Sequence, residues 1–291
     1  MTASAPRLDP LEVRRILRRE GLRASHARSQ NFLADPDVLQ AILDLAEAGP
    51  GTRVLEIGPG LGILTGGLLE AGARVTAVEL DRGLAAYLRT HFAEPIDAGQ
   101  LTLLEGDALD LELPTLVPSP YRIVANLPYH ITSPTLHRLL GGKPPPERLV
   151  LMLQAEVAER IAAPPGRMSY LSVFVQFHAT VRVALAVPRE AFEPAPKVAS
   201  AVVVLEPAAP PLPSGREPEL WGLVQSGFRE RRKMLRNVLA RQLHEGADGS
   251  SGPLVGQARV DAALASAGIA GDRRPQTLSV GDWLRLLEAF S

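Results

Sequence analysis

A short apolar run that leads into closely spaced glycines and then into a helical pattern is the feature that most constrains the fold. It comprises Val-Leu-Glu-Ile from Val54, then Gly58-Pro-Gly60-Leu-Gly62, then Ile-Leu-Thr65. Glycines let the backbone approach a ligand that a Cβ atom would exclude, and α/β sheets bind ligands at the carboxyl ends of their strands. The segment therefore predicts a strand, a ligand-binding turn and a helix.

Apolar runs rich in β-branched residues alternate with helical patterns over the first 150 residues. This alternation is typical of βαβ units around a parallel sheet. The predicted strands are Arg53–Ile57, Arg74–Val78, Leu101–Leu104, Arg122–Ala125 and Leu149–Leu153. Two later runs, Val181–Val187 and Ser200–Leu205, suggest that the sheet finishes with antiparallel strands. We predict an α/β fold.

A proline-rich stretch from Pro207 to Pro213 indicates a linker, because proline lacks a backbone donor. Only helical patterns follow it. The predicted helices lie near Glu217–Phe228, Glu230–His244, Gly256–Ala267 and Ser279–Phe290. We therefore predict a ligand-binding domain over 1–207, with a basic N-terminal arm, and a small all-helical domain over 208–291.

Composition excludes several classes of protein. The 291 residues include no cysteine, which excludes a disulfide framework, a thiolate metal site and a cysteine nucleophile. The six histidines show no ligand spacing, so we expect no metal. The apolar runs are much shorter than the ~20 residues of a membrane span, and the N-terminus is charged. We expect a cytoplasmic protein with no membrane partner.

Two acidic residues follow successive predicted strands. Glu79 lies 21 residues beyond Gly58, where a carboxylate can accept hydrogen bonds from both hydroxyls of a ribose. Asp107, at the end of the next strand, is placed to accept from an adenine amino group. Both NAD and S-adenosylmethionine carry an adenosine of this kind. The glycine spacing differs from the G-x-G-x-x-G dinucleotide fingerprint, and the two acids alone do not decide between these ligands.

The sequence Asn126-Leu-Pro-Tyr129 favours methyl transfer to an adenine amine. The lone pair of that nitrogen is delocalised into the ring, so it is a poor nucleophile. The Asn126 amide oxygen and the Leu127 carbonyl, directed outward by Pro128, can accept both amino hydrogens and draw the nitrogen toward tetrahedral geometry. Tyr129 can stack on the base and hold it in line with the methyl group. No general base is needed before attack, because the nitrogen becomes acidic only after alkylation.

Arginines are concentrated in two places although the net charge is only −1. Any nucleic-acid contact must therefore be local. The early cluster is Arg14, Arg15, Arg18, Arg19, Arg23 and Arg28, and the late cluster is Arg229, Arg231, Arg232, Lys233, Arg236 and Arg241. The late spacings predict several cations along one side of a helix, and the alternative for either cluster is a solvated helix face.

Together these motifs resemble the ribosomal RNA adenine N6-dimethyltransferase family from about Ser29 to Arg236, with a weaker similarity over 274–284. One departure is Ser29, where the family usually has glycine. The matching stretches are Gln30-Asn-Phe-Leu33, Glu56–Thr65, Val78-Glu-Leu-Asp81, Asn126–Tyr129, Gln154–Arg160, Phe192–Val202 and Arg231-Arg-Lys-Met-Leu-Arg236.

The resemblance implies a Rossmann-like class I methyltransferase domain that uses S-adenosylmethionine. It places Asn126, Leu127, Pro128 and Tyr129 around the adenine, with Phe192 as a second aromatic wall. The implied cofactor residues are Asn31, Leu33, Gly58, Gly60, Glu79, Asp107, Ala108 and Asn126. It further implies dimethylation of two adjacent adenosines in the 3′-terminal hairpin of small-subunit (16S) ribosomal RNA, within a pre-30S particle. Arg229, Arg231, Arg232, Lys233 and Arg236 would contact that RNA.

Three alternatives remain open. A large-subunit (23S) methyltransferase that confers macrolide-type resistance would share nearly all of these motifs, although the arginine-rich helical tail favours the small-subunit enzyme. An NAD-dependent oxidoreductase would need a hydride-transfer site, and none is evident. A non-catalytic RNA-binding assembly factor would not require Asn126–Tyr129. We expect the protein to act as a monomer.

Overall fold

A computed structural model describes residues 9–24, 30–128, 131–213, 215–243 and 255–291. The chain forms two compact units: Met1–Ala158 with Ala179–Pro207, and Glu159–His178 with Ala208–Ser291. The predicted boundary between residues 207 and 208 places residues 159–178 in the first domain. In the structure these residues pack with the C-terminal helices. Val173 and Phe177 are buried in the same apolar core as Leu220.

The strands of the first unit are β1 (Phe32–Leu33), β2 (Arg53–Ile57), β3 (Arg74–Glu79), β4 (Leu101–Glu105), β5 (Arg122–Asn126), β6 (Arg148–Gln154), β7 (Ala179–Val187), β8 (Phe192–Glu193) and β9 (Ser200–Pro207). Seven of them form one sheet in the order β4-β3-β2-β5-β6-β9-β7. The first five strands in this order are parallel, and β9 and β7 are antiparallel to their neighbours. This confirms the predicted parallel sheet with an antiparallel finish. A separate two-stranded ladder joins β1 to β8.

Helices pack against this sheet, and some of them begin where the sequence provides a side-chain cap. The Asp35 carboxylate accepts from the backbone N–H groups of Asp37 and Val38, and Pro36 begins the helix. Asp81 caps a later helix in the same way. The helices up to the start of the second unit are α1 (Pro10–Arg19), α2 (Pro36–Ala46), α3 (Ile63–Glu70), α4 (Arg82–His91), α5 (Ala93–Asp97), α6 (Thr132–Gly141) and α7 (Ala155–Ile161).

The second unit is built from helices around a core that contains the fully buried Trp283. A Cβ atom at Gly227 would lie 2.5 Å from the Trp283 ring, so only glycine lets these two helices approach so closely. The Ser279 and Asp282 side chains form a capping box at the last helix. The helices are α8 (Tyr170–His178), α9 (Glu217–Phe228), α10 (Leu235–Gln242), α11 (Gln257–Ser266) and α12 (Val280–Phe290).

The predicted helix over Glu230–His244 is wrong at its start, because α10 begins only at Leu235. The backbone N–H of Lys233 donates to the Glu230 carbonyl within a turn. The N–H groups of Leu235 and Arg236 donate to the carbonyls of Arg273 and Gly271. These tertiary partners fix the helix start at Leu235. The residues from 229 to 233 therefore lie on a turn, and the predicted row of cations along one helix face is not formed.

Candidate active site

The glycine turn follows β2 as predicted, and all three of its glycines have left-handed φ values. These are 70° at Gly58, 61° at Gly60 and 76° at Gly62. A Cβ atom at Gly60 would lie 3.1 Å from the ring of Phe32. At Gly62 it would lie 2.3 Å from the ring of Phe92. Packing against these two rings, and not only the approach of a ligand, therefore requires glycine in the turn.

Glu79 ends β3 and supports the glycine turn. Its Oε2 accepts from the Gly60 N–H at 3.0 Å, and its Oε1 accepts from the Asp81 N–H at 2.8 Å. The side chain is 5% exposed. Burial raises the pKa of Glu79, and the two backbone hydrogen bonds partly oppose that rise. One carboxylate thus ties the turn to the neighbouring strand at the rim of the site.

Glu56 is a site residue to which the sequence analysis assigned no role. It lies on β2, is 1% exposed, and accepts from the Thr65 hydroxyl at 2.7 Å. Burial raises the pKa of Glu56 to about 8; the Thr65 hydrogen bond lowers it, and the nearby Glu79 charge raises it further. The available signal was an acidic residue inside an otherwise apolar strand.

Asn126 ends β5 and is held by the N-terminal segment of the chain. Its Nδ2 donates to the Asn31 backbone carbonyl at 3.1 Å. The carboxamide oxygen is the atom that remains to accept from a substrate. The Leu127 N–H donates to the Met152 carbonyl at 3.2 Å and anchors the next residue. Tyr129 and Ser29 lie outside the described residues, so their predicted parts in the site stay predictions.

A single cavity at the carboxyl ends of the strands brings most of the predicted site residues together. It is also lined by Glu56 and by Leu80, an apolar side chain that is 49% exposed and was not predicted. Among its described lining residues there is no lysine, arginine or histidine. The predicted residues that line it are Asn31, Leu33, Gly58, Gly60, Glu79, Asp107, Ala108, Asn126, Leu127 and Pro128.

Phe192 is not among the described residues that line this cavity. It is 2% exposed and is paired with Leu33 through the β1–β8 ladder. In this conformation Phe192 packs in the apolar core beside the site. Its role as an aromatic wall for the adenine stays a prediction.

The late arginine cluster is exposed on the turn between α9 and α10. The side chains of Arg231, Arg232 and Lys233 have no hydrogen bond or ion pair within the described part of the chain, and they line a shallow cleft there. Arg229 donates to the Gln242 side chain at 3.1 Å. Arg236 is exposed at the start of α10. The cluster is thus a set of largely uncompensated charges.

The early arginines on α1 are more often compensated. Arg14 pairs with Glu193 at 3.4 Å, Arg15 with Glu12 at 3.3 Å and Arg19 with Glu20 at 2.8 Å. Exposed pairs of this kind contribute little to stability, but they reduce the positive charge available to an RNA phosphate. The two clusters therefore differ in their capacity to bind a polyanion.

The described residues contain no group of three or more histidines or carboxylates that could hold a metal ion. None of the helices described is long and apolar enough to cross a bilayer.

Comparison with known proteins identifies the family. The model of the ribosomal RNA adenine dimethylase family matches residues 22–289. A ribosomal RNA small subunit methyltransferase A from Thermosynechococcus vestitus is 43% identical over 277 residues, which cover 92% of this chain and 97% of the relative. Its counterpart from Novosphingobium aromaticivorans is 42% identical over 282 residues, covering 94% and 96%.

Solved structures agree with this assignment. The 23S rRNA methyltransferase ErmE is 31% identical with a TM-score of 0.69, and the alignment covers 89% of this chain and 99% of ErmE. A dimethyladenosine transferase from Plasmodium falciparum is 26% identical with a TM-score of 0.71, covering 89% and 97%. The chain has the Rossmann-like fold of these enzymes, with a helical C-terminal part, and it belongs to the ribosomal RNA adenine dimethylase family.

Proposed function

We propose that this protein transfers methyl groups from S-adenosylmethionine to N6 of two adjacent adenosines in the 3′-terminal hairpin of small-subunit ribosomal RNA. The observation that carries the proposal is the position of Asn126 on the wall of the cavity that also contains Glu79. The small-subunit relatives named above are about 42% identical, against 31% for the large-subunit enzyme, which supports the small-subunit substrate.

The cavity suits an adenosine-containing cation. Glu79 lies at the end of β3, where its carboxylate can accept from the ribose hydroxyls. Asp107 borders the same cavity and is held by the Leu109 N–H, which donates to its Oδ1 at 2.8 Å. The exposed Leu80 side chain provides an apolar surface for a flat ring. Carboxylates without a basic neighbour favour a ligand of positive charge.

Asn126 and Leu127 activate the adenine. Bound S-adenosylmethionine supplies an electrophilic methyl group on its sulfonium. The Asn126 amide oxygen and the Leu127 carbonyl accept the two N6 hydrogens and localise the nitrogen lone pair. In the transfer, the N6–CH3 bond would form as the S–CH3 bond breaks with its electron pair left on sulfur, and N6 would then lose its proton to water. In this proposal Tyr129 holds the base by stacking, and Phe192 would join it only by leaving the apolar core in which it is buried.

RNA docking relies on the late cluster. The side chains of Arg231, Arg232 and Lys233 are exposed and have no partner in the described part of the chain, so they are available to phosphates. Arg229 and Arg236 flank them. In this proposal the protein acts as a monomer in the cytoplasm on a pre-30S particle, and its base selectivity comes from the cavity.

The proposal is tested with labelled S-adenosylmethionine and two substrates, small subunits and large subunits, each lacking its adenine modification. We expect label at two adjacent adenosines near the 3′ end of small-subunit RNA. Label confined to large-subunit RNA would instead assign the sister activity. Binding of small subunits without any label would indicate an assembly factor.

A further inference from the structure

The charge of the cavity wall affects how tightly the cavity binds the methyl donor relative to the product that remains after methyl transfer. Three carboxyl groups line the cavity, and no described lining residue carries a positive charge. Glu79 accepts from the backbone N–H groups of Gly60 and Asp81, and Asp107 accepts from that of Leu109. Among the described residues, Glu56 is hydrogen-bonded by Thr65 on α3, through the hydroxyl and the backbone of that residue.

Glu56 is the most deeply buried of these carboxyls. Its side chain is 1% exposed, against 5% for Glu79, and the Thr65 hydroxyl that donates to it is fully buried. An ionised carboxylate in such a position has lost its hydration and has no cation to replace it. A cationic ligand in the cavity would supply the missing charge.

We propose that Glu56 is a specificity-determining residue that makes this cavity prefer the methyl donor, with its sulfonium charge, to the thioether product, whose sulfur is neutral. This inference rests on the proposed function. When the S–CH3 bond breaks, its electron pair stays on sulfur, so the sulfonium becomes a thioether and the ligand loses one positive charge. The part of the attraction to Glu56 that comes from the sulfonium charge is lost at that step. Dimethylation requires the product to leave before each further methyl transfer, and the weaker attraction promotes the exchange.

The charged groups around Glu56 are consistent with this role. On β3, the Glu79 charge raises the pKa of Glu56, and on α3 Thr65 lowers it, with burial as the largest influence. Asp107 follows β4 on the same cavity wall. Because the pKa is raised to about 8, Glu56 is largely protonated in the empty cavity at neutral pH. Binding of the sulfonium therefore favours release of this proton more strongly than binding of the thioether does.

The experiment is calorimetric titration of the full chain with S-adenosylmethionine and with S-adenosylhomocysteine at pH 6.5 and pH 9. The ratio of the two dissociation constants is compared between wild type and Glu56→Gln, which retains a hydrogen-bond acceptor for Thr65. The ligands' own titration is the same for both proteins, so the comparison cancels it. Glu105→Gln is the control, because Glu105 lies on β4 of the same sheet but does not line the cavity.

At pH 9, we expect the preference for S-adenosylmethionine over S-adenosylhomocysteine, measured as the ratio of their dissociation constants, to be about tenfold greater in wild type than in Glu56→Gln. A tenfold change in this ratio is equivalent to one pKa unit of differential interaction. Glu105→Gln should resemble wild type. At pH 7, titrations in buffers of different ionisation enthalpy should detect a larger proton release by wild type with S-adenosylmethionine than with S-adenosylhomocysteine. If Glu56→Gln is too unstable to purify, Thr65→Val provides a second readout. Removing the Thr65 hydroxyl raises the pKa of Glu56, so the preference for S-adenosylmethionine should develop at a higher pH than in wild type.

Equal ligand ratios for wild type and Glu56→Gln, or proton release that is the same for both ligands, would overturn the inference and make Glu56 a purely structural residue. Failure of wild type to bind either ligand would instead refute the proposed function. The two failures are therefore distinguishable.

Discussion

The Asn126 side chain donates a hydrogen bond to the backbone carbonyl of Asn31 at 3.1 Å, across 95 positions of the sequence. This hydrogen bond fixes which end of the amide is free for the adenine. The predicted catalytic residue is therefore oriented by the segment that forms β1, and that segment also lines the cavity.

Asn126→Ala should lower turnover by ~10²–10³, the effect of removing a preorganised polar contact to a transition state. Cofactor affinity should stay within several-fold of wild type, because the other cavity residues remain. Single-turnover transfer of label to small-subunit RNA measures the effect, with the melting temperature as a folding control. Turnover close to that of wild type would remove Asn126 from the mechanism.

Glu79→Gln should weaken S-adenosylmethionine binding by roughly 1.5–3 kcal/mol, the range for a hydrogen bond to a charged group, and leave RNA binding intact. Glu79→Ala should lower the melting temperature further than Glu79→Gln, because alanine removes the acceptors of both the Gly60 and Asp81 N–H groups, whereas glutamine keeps an oxygen for one of them. Calorimetry and thermal unfolding separate the two effects. Unchanged affinity in Glu79→Gln would mean that Glu79 only supports the turn.

Replacing Arg231, Arg232 and Lys233 together with glutamine should weaken binding to small subunits and leave S-adenosylmethionine binding unchanged. For every phosphate that the variant no longer neutralises, the slope of log affinity against log salt should flatten by ~0.7–0.9. Arg241→Gln is the control, because Glu230 already pairs with Arg241 at 3.1 Å. An unaltered salt slope in the triple variant would show that the cluster is a solvated surface.

Glu56 should make the stability of the ligand-free protein fall as pH rises. Its pKa is about 8 in the folded protein and near 4.5 when unfolded, so between these values the folded state holds a proton that the unfolded state has lost. The stability of wild type relative to Glu56→Gln should decline across that interval and level off above it. Thermal melts from pH 5 to pH 9 measure the difference, and parallel curves would contradict the burial of an uncompensated carboxyl.

Gly62→Ala should destabilise the protein by about 3 kcal/mol or more. Its φ is +76°, and a Cβ atom would lie 2.3 Å from the Phe92 ring. A left-handed residue costs about 1–2 kcal/mol and overpacking about 1–3 kcal/mol. Gly99→Ala is the control: φ is +67° with no atom within 4 Å, so we expect a destabilisation of about 1 kcal/mol. Denaturant unfolding measures both, and equal effects would show that the packing around Phe92 relaxes.

Elements with local signals could be predicted from the amino-acid sequence. The alternating apolar runs predicted the strands from Arg53 to Leu153, and Asp35-Pro36 predicted the start of α2, because strand periodicity and helix capping depend on neighbouring residues. The spacing from Gly58 to Glu79 predicted that these residues meet, because parallel strands end at one edge of a sheet.

Features that depend on distant partners emerged only from the folded chain. The start of α10 at Leu235 depends on the Arg273 carbonyl, and residues 159–178 join the second unit through the shared core. The raised pKa of Glu56 arises from burial, and burial is a property of the packed chain that a single position in the sequence does not report. The hydrogen bond from Asn126 to Asn31 belongs to the same class, because remote segments can bond only when the fold brings them together.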